Sequence, residues 1–161
     1  ILLLIDSIVI GKTCEITTQI DSKAGKTRFL VSFPVRSLDS GIDMRDDDVK
    51  EMLSFESNTY ISFVSDFLSG EQISAALTDG KTKLGGMLEV AGIPYKVIFP
   101  LKLTEQSGTW LVKGKFVTSL SKFGLELPSI LGGVIADTRD YLELHIQLRF
   151  NLVQGFPEFN Q

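Results

Sequence analysis

This chain is poor in the residues that build most catalytic and metal centres. Cys14 and His145 are the only cysteine and histidine among 161 residues. One cysteine makes no intrachain disulfide and no cysteine metal site. A zinc site, a Ser-His-Asp triad or a Cys-His pair would have to be built around one histidine, which excludes most such constellations. Basic clusters are missing as well. Sixteen Lys and Arg against twenty Asp and Glu leave a formal charge of −4 and a pI near 5.0. That balance argues against nucleic acid and anionic lipid surfaces as partners, since both reward basic patches. Long hydrophobic runs are also lacking. The opening ILLLI is stopped by Asp6 and has neither a basic flank nor a small-residue cleavage site. It reads as a strand and not as a signal peptide or an integral membrane span. The chain opens at Ile1 without methionine, as a mature or trimmed product would.

What is present is alternation. From Leu142 to Leu152 every second residue is apolar, with Glu143, His145, Gln147, Arg149 and Asn151 between. A period of two gives a strand one dry face and one wet face. Eleven residues at about 3.3 Å each span roughly 36 Å, long for a strand and suited to a barrel. Shorter runs precede it: Ile16–Ile20, Phe29–Val35, Ile61–Phe67, a weaker run Ile73–Leu77, Leu88–Val90, Val97–Leu103 and Trp110–Phe116. Turn residues separate them at Asp21–Lys26, Asp79-Gly80, Gly92-Ile93-Pro94 and Gln106-Ser107-Gly108, and Pro34 marks the end or edge of its strand. One segment breaks the rhythm. Asp46, Asp47 and Asp48 followed by VKEML predict a short helix near residues 46–54, with carboxylates at its positive end. Residues 119–136 form an apolar loop or short-helix excursion. The expected fold is all-β: an antiparallel barrel of about eight strands, in one domain over residues 1–154, with a C-terminal tail over 155–161.

The order of several motifs resembles the YceI-like family of lipid-binding, lipocalin-like barrels. They are Phe33-Pro34-Val35-Arg36-Ser37-Leu38 with Ser40-Gly41 and Arg45-Asp46, then Tyr60-Ile61-Ser62-Phe63-Val64-Ser65, then Gly86 to Pro94, then Phe123-Gly124-Leu125 with Ala136-Asp137 and the closing strand. The resemblance spans about Ile8 to Phe150. Asp48 stands where the family often carries a histidine. The resemblance implies an eight-stranded barrel holding a long isoprenoid-type lipid or a quinone tail, for storage or transport, in a bacterial protein that is periplasmic or secreted.

The inward parity carries no charge. It comprises Phe29, Val31, Phe33, Phe63, Phe67, Leu88, Val90, Val97, Phe99, Leu101, Val112, Phe116, Leu144, Ile146, Leu148 and Phe150. An eight-stranded barrel is either filled by such side chains or holds one ligand. As a container, its wall binds hydrocarbon through burial alone, at about 0.8 kcal/mol per methylene. Phe123, Leu125, Leu127, Ile130 and Leu131 are then lid residues with Gly132-Gly133 as hinge, or else a plug of the barrel end. These residues and the strand set are the candidate ligand site. The alternative is a non-catalytic interaction module with a filled core, acting through Trp110 or the C-terminal phenylalanines. No enzyme is expected, because no nucleophile, base and oxyanion donors converge. The three aspartates read as a helix start and not as a metal site. Arg45 pairs with a carboxylate, closes a barrel end or faces a headgroup. Cys14 shares the parity of Ile16 and reads as buried, and His145 as a surface residue. No cofactor or metal is called for, and a homodimer is left open.

Overall fold

The computed structural model describes residues 13–39, 41, 43–53, 56–57, 59–125, 142–153 and 156–159. Within them lie nine strands: β1 Thr17–Lys23, β2 Lys26–Pro34, β3 Tyr60–Ser65, β4 Leu68–Ser69, β5 Lys81–Val90, β6 Ile93–Gln106, β7 Thr109–Thr118, β8 Leu142–Val153 and β9 Phe156–Phe159. All pairing is antiparallel. It follows one path, β1-β2-β3-β5-β6-β7-β8-β9, with β4 beside β2. The all-β, antiparallel, barrel-like expectation holds. Among the described residues the path is open, with no ladder joining β1 to β9, so the sheet is wrapped as a half-barrel.

The hairpins follow from local chemistry. Ala24-Gly25, Ala91-Gly92 and Ser107-Gly108 each place two consecutive residues at positive φ. That is the type I′ geometry whose twist matches paired strands, and glycine supplies its second position without a Cβ penalty. Pro34 ends β2, and the chain turns into a 3-10 turn, Val35–Ser37, where a residue without an N–H is no loss. The long closing strand is twelve residues and pairs with β7 from Leu142 to Phe150.

Four expectations need correction. The early helix α1 is Asp43–Met52, starting three residues before the aspartate triplet, because Asp43 already supplies a carboxylate to the first turn. A second helix, α2, occupies Gly70–Asp79, where a strand-like run was expected. Its N-terminus carries a capping box: the Ser69 hydroxyl accepts from the Gln72 N–H, and the Gln72 side chain accepts from the Ser69 N–H. Its C-terminus stops at Gly80 in the left-handed region. Part of the expected tail is strand β9, whose residues pair with Phe150 to Val153. Finally, Cys14 is exposed, as are Ile16 and Ile20. They stand at the first strand of the pairing path, where parity alone does not bury a side chain.

Candidate functional site

Register places the two parities with little ambiguity. Directly paired residues share a face, and the pairs Val31↔Phe63, Phe63↔Leu88, Leu84↔Phe99, Leu103↔Val112, Val112↔Leu148 and Trp110↔Phe150 carry one apolar face across the sheet. That face wraps around two different regions. At one end of the strands it is solid. Val35, Leu53, Ile61, Leu88, Val90, Val97, Phe123 and Leu125 form a continuous buried cluster, with Phe33, Leu38, Tyr95, Phe116, Leu142 and Leu144 packed on it. Phe123 is 1% exposed and meets Tyr95 edge to face at 4.6 Å.

At the other end the interior is hollow. A cavity of about 130 Å³ is lined from every described strand except β1, and from α2. Its wall comprises Phe29, Val31, Phe63, Leu68, Leu84, Phe99, Leu101, Leu103, Val112, Ile146, Leu148, Phe150 and Pro157, with Ile73, Ala76 and Leu77 from α2. The α2 residues stand at i, i+3 and i+4, which puts them on one stripe of the helix. Among the described residues Thr82 supplies the only polar side chain of the lining, and none of them brings a charge to it. Phe63 and Phe99 stand between the two regions, ring centroids 5.2 Å apart and edge to face, and Phe99 meets Phe116 at 5.2 Å. Phe63 and Phe99 form the cavity floor, with Phe116 on the packed side of it.

A bulge admits Leu68 to the wall. Leu30 pairs with Val64 and Thr27 with Leu68, so Ser65, Asp66 and Phe67 stand opposite Arg28 and Phe29. One extra residue reverses the parity beyond it. The buried Ser65 hydroxyl fills the gap in the ladder, accepting from the Phe29 N–H at 2.8 Å and donating to the Asp66 carbonyl at 2.9 Å. Phe67 therefore does not line the cavity. Its ring lies 4.9 Å from the Arg28 guanidinium, which itself pairs with Asp21 at 2.8 Å.

The polar candidates whose side chains are described stay outside the cavity. His145 is exposed on the opposite face, where it meets Glu143, which also takes Lys115 at 2.8 Å. Asp47 pairs with Lys50 at 3.5 Å along α1. No group of three or more His, Cys, Asp or Glu that could hold a metal occurs among the described residues, and no described helix is long and apolar enough to cross a membrane.

A family model described as YceI-like domain matches residues 4–150. The chain belongs to the YceI-like domain family. Solved structures share the fold at low identity. The Campylobacter jejuni YCEI protein is 15% identical, with 95% of this chain and 90% of that chain covered and a TM-score of 0.72. Burkholderia cenocepacia BcnA is 17% identical, with 91% of each chain covered and a TM-score of 0.71. A polyisoprenoid binding domain from Saccharophagus degradans, implicated in plant cell wall breakdown, is 11% identical, with coverage of 84% and 91% and a TM-score of 0.61. No curated protein matches the chain.

In this YceI-like domain, nine of the sequence-selected residues line the cavity: Phe29, Val31, Phe63, Phe99, Leu101, Val112, Ile146, Leu148 and Phe150. Leu88, Val90, Val97, Phe123 and Leu125, with Phe33, Phe116 and Leu144, belong to the packed end. Phe123 and Leu125 are buried in that cluster and do not line the cavity. Leu127, Ile130, Leu131, the glycine pair, Ala136-Asp137 and the opening ILLLI lie outside the described residues, and so does the Arg45 side chain. Leu68, Leu84, Leu103, Pro157 and the α2 residues escaped sequence reasoning. The capping box and the i, i+3, i+4 stripe were signals available for α2. Trp110 stacks on Phe150, ring centroids 6.2 Å apart and 12° from parallel.

Proposed function

We propose that this YceI-like domain binds the apolar tail of an isoprenoid-type lipid, polyisoprenoid or quinone, in the cavity beneath α2, and stores or carries it without catalysing a reaction. The observation that carries the reading is a cavity walled by hydrocarbon from eight strands and a helix, with no charged side chain in the lining among the described residues. Such a wall gives a reacting group no acid, base or nucleophile, whereas it lowers the free energy of a buried hydrocarbon by about 0.8 kcal/mol per methylene. Membership of the YceI-like family, and the fold shared with a protein named a polyisoprenoid binding domain, support the same ligand class. A periplasmic or secreted location, as is general in the family, belongs to this reading, since a water-insoluble tail crossing an aqueous compartment needs a container.

Organic extraction of the purified protein, followed by mass spectrometry, tests the proposal. The expected result is a co-purifying prenyl or quinone lipid in a fixed ratio to protein, lost when Leu148→Glu places a carboxylate in the wall. An extract free of lipid, together with failure of the delipidated protein to take up a prenyl alcohol, would count against it.

A further inference from the structure

We infer that the outer face of β5 to β8 docks this domain on an anionic bilayer. This goes beyond the binding reading above and rests on it only for the choice of a bilayer over an acidic protein. The lysines are dispersed in sequence, and register brings them together. Lys81 pairs with Lys102 and Lys102 with Lys113, so three cations stand in one row across three strands. Like charges directly opposite one another destabilise a sheet. All three are exposed, and among the described residues none of them joins an ion pair. The repulsion in the row is therefore left for an anionic surface outside the protein to relieve. Lys83, Lys96, Lys115 and Arg149 are exposed on the same face. Against them stand Asp66, whose carboxylate lies over Gly85, Glu89, and Glu143, which already holds Lys115. The described part of this face is basic although the chain as a whole carries −4, because an average over the chain hides one wall of it.

Two further observations favour a membrane. Ile98 is 59% exposed and Met87 41%, and both share the face with the lysines, Ile98 opposite Gly85 and Met87 opposite Lys96. Apolar tips among cations suit the boundary between headgroups and acyl chains. No Phe, Tyr or Trp stands on this parity of β5 to β8, so a nucleic-acid strand finds no stacking platform. The row also backs the cavity. Thr82, Leu101, Leu103 and Val112, its neighbours along the strands, line the hollow from the inner side. Docking by the row holds the hollow end against the bilayer.

Co-sedimentation of the delipidated protein with phosphatidylcholine vesicles, made with and without an equal share of phosphatidylglycerol, tests the inference. Binding is expected to the anionic vesicles alone, and is lost in about 1 M salt, where the screening length falls to about 3 Å. Each lysine near an anionic surface is worth about fivefold in binding. Lys102→Glu removes one positive charge and adds a negative one, so it is expected to weaken binding at least about 25-fold. The same change raises the urea midpoint, because it ends the repulsion in the row. Ile98→Thr is expected to weaken binding about fivefold with its salt dependence unchanged. Equal binding to neutral vesicles, no binding to anionic ones, or undiminished binding by folded Lys102→Glu overturns the inference. Capture of a single-stranded oligonucleotide in preference to the vesicles overturns it as well. A lipid-free extract with anionic-vesicle binding intact removes the binding reading alone. A prenyl lipid in the extract without vesicle binding removes the docking inference alone.

Discussion

One inserted residue decides which of two adjacent apolar side chains reaches the interior. Period-two reading carries Phe63 inward correctly and then places Phe67 inward too, because it counts residues and not ladder positions. The bulge at Ser65 to Phe67 turns Leu68 in and leaves Phe67 beneath Arg28. Nothing in the local alternation announces it; the signal is a serine whose hydroxyl replaces a backbone partner. Gly86 shows the reverse case, a motif residue whose purpose the fold makes plain. Gly86 faces inward on β5, and a Cβ there would collide with the Val64 carbonyl oxygen and meet the Phe63 ring at 2.7 Å. Gly86→Ala is therefore expected to cost about 1–3 kcal/mol through overpacking, measured by urea denaturation. A neutral result would mean that the Val64 carbonyl and the Phe63 ring both give way.

At the scale of elements, strands were legible and one helix was not. Strands declare themselves by alternation between glycine turns, and β2, β3, β5, β6, β7 and β8 stand close to where that pattern puts them. The segment Gly70–Asp79 satisfies both periods at once: Ile73, Ala75 and Leu77 alternate, while Ile73, Ala76 and Leu77 form a helical stripe. The termini decide between them, since a capping box and a left-handed glycine stop satisfy backbone groups that a strand would leave to a neighbour. Ser69→Ala removes the hydroxyl acceptor at one end of α2 and is expected to cost about 1 kcal/mol, seen as a lowered urea midpoint with an unchanged slope. Loss of the packed end's near-ultraviolet signal in that variant would contradict the confinement of α2 to the hollow end.

For the whole molecule, parity was readable, but the distinction between a filled and a hollow interior was not. Leu88 and Leu103 both stand on the inward parity of β5 and β6, yet one is packed in the cluster and the other lines the cavity. The difference depends on what stands across the sheet, and a linear pattern does not encode that distance. Position in the pairing order also sets local stability. The central strands β5, β6 and β7 are paired on both sides, whereas among the described strands β1 is paired only with β2 and has the exposed Ile16 and Ile20 at or beside it. Amide exchange is expected to be slowest in Leu84–Phe99 and fastest in Thr17–Lys23 among the strand amides; equal protection would show that β1 opens only with global unfolding. The hollow end has an energetic meaning of its own. A hydrocarbon seated there covers apolar wall that the empty protein leaves uncovered, which is favourable in proportion to the area removed from water. Because a ligand bound only by the folded state stabilises that state, the melting temperature of this domain becomes a direct gauge of how much of it is loaded.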